Sequence, residues 1–153
     1  MNKIFLIIII LLTSCNKNIL NSNVDNLVYN PEISLFQNQN SIDVLIFNYP
    51  SINGFQFDLD ISDNLTITSL NAFNGISEEY NFYIASSLNN LRVLGFSLTD
   101  SSIPSLYQDS SVLIELQLNF KGSGTIGLTN VILSGENGNE IPTTTLSEAI
   151  TVP

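Results

Sequence analysis

The chain has no histidine, no tryptophan, one cysteine and only four Lys or Arg residues against 14 Asp or Glu, a formal charge of −10 over 153 residues. Each shortage excludes a class of function. Without His the commonest general base and the commonest metal ligand are missing. Nucleophile and base pairs of the Ser–His or Cys–His kind therefore cannot be built. A lone cysteine forms no internal disulfide, so packing alone must hold the core, and a chain of about 150 residues buries enough surface to do so. The scarcity of cations makes nucleic acid a poor partner, because phosphates are bound by Lys and Arg that displace counterions. Without Trp, an aromatic platform for a sugar falls to Tyr49, Tyr80, Tyr83 or Tyr107. No window of a dozen residues repeats at helical period, which leaves strands as the building unit.

The strand signal is clearest in Gly54-Phe55-Gln56-Phe57-Asp58-Leu59-Asp60-Ile61. Successive strand side chains point to opposite faces, so Phe55, Phe57, Leu59 and Ile61 share one face and Gln56, Asp58 and Asp60 the other. Val112, Ile114, Leu116, Leu118 and Phe120 alternate in the same way with Leu113, Glu115, Gln117 and Asn119. Glu32–Phe36, Ser41–Phe47, Leu65–Ala72, Tyr80–Ser86, Leu91–Leu98, Thr125–Ser134 and Ala149–Val152 complete about nine short strands. Leu65–Ala72 is the irregular one, its apolar positions switching face partway. Phe73–Glu79 reads as a loop, and Gly135-Glu136-Asn137-Gly138-Asn139 as a turn that tolerates positive φ. One-sided antiparallel strands stack as two sheets about 10 Å apart, so the expected fold is an all-β, two-sheet antiparallel sandwich of jelly-roll type.

The first residues have a separate character. Met1-Asn2-Lys3 carries one cation, Ile4–Leu12 is wholly apolar, and Leu12-Thr13-Ser14-Cys15 follows. The apolar run is too short to cross a hydrocarbon core, which takes about 20 helical residues. This segment resembles a bacterial lipoprotein signal with its lipobox. The resemblance implies cleavage after residue 14 and acylation of Cys15, whose several chains would hold the protein to a membrane. The Asn-rich stretch 15–30 reads as a flexible tether and 31–153 as a single domain.

Four stretches of that domain, in this order, are similar to the cohesin fold: Gly54-Phe55-Gln56-Phe57-Asp58-Leu59, Leu91-Arg92-Val93-Leu94-Gly95-Phe96-Ser97, Val112–Phe120, and Leu128-Thr129-Asn130-Val131-Ile132-Leu133-Ser134 with the Gly-rich turn after it. Gln108-Asp109-Ser110-Ser111 stands where the family often has an Asp-Gly turn. The resemblance implies a non-catalytic module that displays a sheet face to a protein partner, and an association with polysaccharide-degrading or surface-attachment systems.

Few residues offer chemistry of their own. Asp58 and Asp60 share a strand face and Glu78-Glu79 a loop, and both pairs read as solvated charges rather than a glycosidase couple. Asp58 to Asp63 begins like a calcium loop but has Asp63 where Gly is needed and Ser69 where Glu is needed. Tyr83 faces away from Tyr80, Phe82 and Ile84, so it is either a plain surface tyrosine or part of a ligand face. Arg92 either pairs with neighbouring acids or makes a contact in a flat binding face. The expected protein is a lipid-anchored, extracytoplasmic binding module without cofactor or metal, placed at the outer membrane on its periplasmic side or at the cell surface. It binds a protein or, alternatively, a polysaccharide.

Overall fold

The alternating stretches form strands that pair into two stacked sheets, in a computed structural model describing residues 30–47, 50–106, 109–146 and 148–153. In chain order the elements are β1 (Glu32–Gln37), β2 (Ile42–Phe47), β3 (Gly54–Ile61), β4 (Leu65–Phe73), α1 (Gly75–Glu79), β5 (Phe82–Ser87), β6 (Arg92–Ser97), β7 (Ser111–Gly122), β8 (Gly124–Ser134), β9 (Glu140–Ile141), β10 (Thr144–Thr145) and β11 (Ile150–Val152). One sheet runs β10-β1-β2-β7-β4 and the other β11-β8-β3-β6-β5, with β9 added beside β8.

The apolar faces meet between the sheets. Ile42, Val44 and Ile46 from β2, Phe55, Phe57 and Leu59 from β3, and Ile114 and Leu116 from β7 are all buried there. A fully buried aliphatic or aromatic side chain contributes about 1.5–3 kcal/mol relative to an exposed one, so this layer dominates the stability of the fold. The rings of Phe55 and Phe57 stack at 6.2 Å and those of Phe55 and Phe82 at 6.1 Å, joining β3 to β5 across β6. Gly95 of β6 makes room for this, because a Cβ there would lie 2.2 Å from the Phe55 ring. Above the core, Ile52 and Ile103 are fully buried and joined by backbone hydrogen bonds of 2.9 and 2.8 Å, which pins the β6–β7 connection to the β2–β3 connection. Asp43 is buried on the opposite side of β2 and accepts hydrogen bonds from Asn38 and Ser41, which close the β1–β2 turn.

Three departures from simple alternation are β-bulges. In β4 the register to β7 shifts between Ile67 and Ser69, so Leu65 and Ile67 are buried while Leu70 and Ala72 take over the inward positions. That is the switch of face seen in the sequence. In β7 the register to β2 shifts at Val44/Leu45, and the adjacent Leu113 and Ile114 are both fully buried. Strict alternation puts Leu113 on the polar face, and the bulge breaks that alternation. The third bulge lies between β3 and β8 and builds the candidate site.

Other differences are local. The segment expected as a loop before Tyr80 contains the single-turn-scale helix α1, which carries Glu78 and Glu79 and ends at Tyr80. Two-residue strands β9 and β10 fall in a stretch without alternation, and β10 pairs with β1 in parallel, the one parallel pairing among the described residues. Strands this short are set by the edge they dock on rather than by their own pattern.

Candidate functional site

The outward side chains of β5, β6, β3 and β8 fall into rows that cross the sheet. Tyr83 pairs with Phe96, Phe96 with Gly54 and Gly54 with Ser134, and Ser134 with Glu140 of β9. The next row is Ala85, Leu94, Gln56 and Ile132, and the one after it Ser87, Arg92, Asp58 and Thr129. Asp60 opposite Gly127 begins a fourth. The face thus passes from aromatic, through aliphatic, to charged along the strand direction. Tyr83, Leu94 and Ile132 are 56%, 37% and 42% exposed, and the Tyr83 and Phe96 rings lie tilted at 5.4 Å between centroids. Large apolar side chains clustered on a wet sheet face mark an interaction surface more often than singly scattered ones do.

The charged row is organised by the bulge. Between Gln56 and Asp58 the register to β8 skips from Ile132 to Thr129, and Asn130 takes positive φ at 48°. Asn is among the few residues that tolerate that region. Its Nδ2 donates to Asp58 Oδ2 at 3.0 Å, while Arg92 donates from Nε to Oδ1 at 2.6 Å and from Nη2 to Oδ2 at 2.8 Å. This is a bidentate pair of the strong, charge-assisted kind. Asp58 is only 7% exposed, so it is covered by its partners rather than solvated as its position on the polar face suggested. The Arg92 hydrogen bonds draw the Asp58 carboxyl below the usual aspartate value, outweighing burial, which pushes it up, and Asn130 adds to the lowering. The same pair raises Arg92.

The two residues singled out in the sequence, Tyr83 and Arg92, therefore lie on one face. Of the two readings of Arg92, pairing with an acid is realised in Asp58. Tyr80 sits at the end of α1, partly buried against the core. Tyr49, Tyr107 and Cys15 lie outside the described residues. Sequence reasoning missed Leu94, Phe96 and Ile132. Val131-Ile132-Leu133 did hold a signal, because three consecutive apolar residues in a strand cannot all face the core.

The clefts lie elsewhere. One of about 540 Å³ is lined by Ser34, Leu35, Thr145, Leu146 and Glu148 along the β1–β10 edge, and another of about 270 Å³ by the β1–β2 turn and Pro153. The first holds a single carboxylate, and no group of three or more His, Cys, Asp or Glu converges to hold a metal among the described residues.

Solved structures of similar shape include cohesins. A non-cellulosomal cohesin from the hyperthermophilic archaeon Archaeoglobus fulgidus superposes with a TM-score of 0.59 at 12% identity, covering 82% of this chain and 92% of its own. The fold is cohesin-like. The third ScaB cohesin of R. flavefaciens, solved in complex with a group 1 dockerin, has a TM-score of 0.58 at 15% identity and covers 81% of this chain and 95% of its own. A cohesin module from a family 33 glycoside hydrolase of Clostridium perfringens has a TM-score of 0.50 at 15% identity, with 80% and 94% covered. No protein-family model matches the chain, and neither does any curated protein. The likeness to cohesins covers about four-fifths of this chain, in keeping with the fold that the four sequence stretches implied.

Proposed function

We propose that this chain is a non-catalytic, cohesin-like binding module that presents the β8-β3-β6-β5 face to a protein partner outside the cytoplasm, held to a membrane by lipid on Cys15. One observation carries the reading: Tyr83 of β5, Leu94 and Phe96 of β6 and Ile132 of β8 put apolar side chains on one sheet face, with Gln56 of β3 between Leu94 and Ile132 and the Asp58–Arg92–Asn130 network fixed beside them. The clefts described above lie away from this face, and a paired sheet face that offers rows of side chains suits a macromolecule better than a small substrate. The dockerin complexes of some structural neighbours support a protein as the occupant, and the lipobox-like Leu12-Thr13-Ser14-Cys15 supports the anchor.

A second reading, binding of polysaccharide, is favoured by the Tyr83 and Phe96 rings with the amide of Gln56 in the next row. Capture of protein partners from host extract, run beside immobilised polysaccharides, separates the two. Saturable capture of one protein that persists in added sugar and disappears with Leu94→Ser supports the first. Retention on a glycan that is lost with Tyr83→Ala and competed by the soluble sugar replaces it with the second.

A further inference from the structure

The charge distribution on this face constrains the chemistry of what covers it. Of the four cations, Lys3 and Lys17 precede the described residues, Lys121 lies on β7 in the other sheet, and Arg92 is tied to Asp58 in the one salt bridge found among the described residues. Asp58 and Arg92 cancel. What remains on the face is Asp60, exposed in the fourth row, and Glu140, exposed at the far end of the first. The two carboxylates stand roughly 20 Å apart from six residues of strand rise and two strand spacings, with Ile132 of β8 between them and Leu94 and Phe96 of β6 to one side, beyond β3. An acidic partner would meet repulsion from both carboxylates along that side of the cluster, on a chain already at −10.

Resting on the reading of this face as a docking surface, we infer that its occupant is a protein segment whose apolar stripe is bordered by Lys or Arg, placed to meet Asp60 and Glu140. β3 and β6 are paired on both edges, so the centre of the face is read through side chains and not by strand addition. Specificity against acidic competitors then comes from the two carboxylates, while the apolar rows supply the contact area.

The test uses the full chain and two synthetic amphipathic peptides that share one leucine stripe and carry either lysine or glutamate on its flanks, immobilised and compared at low and high salt. The lysine peptide is expected to bind about fivefold tighter than the glutamate peptide, the sum of two exposed ion pairs, with the preference shrinking as salt rises. Asp60→Lys with Glu140→Lys should abolish the preference. Glu32→Lys with Asp109→Lys, which make the same change in net charge at exposed positions on β1 and in the segment before β7, should keep it. Equal loss in both double variants, or no preference at the start, overturns the inference. In either case, binding that still disappears with Tyr83→Ser and Leu94→Ser leaves the face as the docking surface, whereas binding indifferent to those two substitutions overturns the face itself.

Discussion

Replacing Gly95 by Ala probes how the core and the binding face share β6. A Cβ at residue 95 would sit 2.2, 2.3 and 2.9 Å from three atoms of the Phe55 ring. Carbon atoms rest at about 3.5–4.0 Å, so the ring tip must retreat by more than 1 Å. Phe55 has little room to do so, being 2% exposed and stacked between Phe57 and Phe82. Overpacking of this kind costs about 1–3 kcal/mol, and relief of the glycine entropy in the unfolded chain returns about 0.5 kcal/mol. The expected net loss is about 1–2 kcal/mol. It reads as a fall in Tm of roughly 3–10 °C for a body of this size, or a lower urea midpoint at unchanged slope. Phe55→Leu shortens the colliding ring, so adding it to Gly95→Ala should cost less than the two single losses combined, with a coupling of about 1 kcal/mol. A stable Gly95→Ala protein, or strictly additive losses, would refute the idea that Gly95 exists to seat Phe55.

Other outcomes follow from the same structure. Asp58 has a lowered pKa in the fold, so its contribution is complete above about pH 4 and is lost as pH falls through the lowered value. Asp58→Asn should therefore flatten the acid limb of the stability–pH curve, while a limb unchanged by the substitution would detach the carboxylate from stability. Asn130→Ala places a Cβ-bearing residue without a side-chain amide at φ 48°, for an expected loss of about 1–2 kcal/mol that Asn130→Gly largely avoids; equal losses in calorimetry would show that the Asp58 hydrogen bond, and not the backbone, sets the cost. Tyr83→Ala should leave Tm within about 1 °C, since the ring is mostly exposed, yet weaken capture of the partner. Cys15→Ser should move the protein from the membrane to the soluble fraction on cell fractionation.

The sandwich was legible because burial on one face imposes period two, and Phe55-Gln56-Phe57-Asp58-Leu59 shows that period without interruption. Irregular stretches were legible only as irregular. The switch in Leu65–Ala72 is a bulge, but the sequence does not say which partner strand absorbs the extra residue. The site depended on pairing. Tyr83 and Arg92 were each visible as outward residues, yet only the registers of β5 on β6 and β6 on β3 bring them onto one surface with Asp58. Asn130 was hidden for a further reason: its role comes from a backbone twist at a bulge, which side-chain alternation cannot report. Strands β9 and β10 have no pattern of their own and borrow their structure from the edges of β8 and β1.

The parallel contact of β10 with β1 bears on the order of events in folding. β1 is among the first parts of the body to be synthesised, and its outer neighbour comes from Thr144–Thr145, more than a hundred residues later. The central partners β3 and β8 are also far apart in sequence, and β11 closes the other sheet only at Val152. Such pairings pay their loop-closure entropy before they return any contact energy. Both sheets are therefore completed only when the last strands are available. Ending the chain at residue 143 removes both late strands, and pulsed proteolysis of that shortened form should find a body that stays cleavable where the full chain has become resistant.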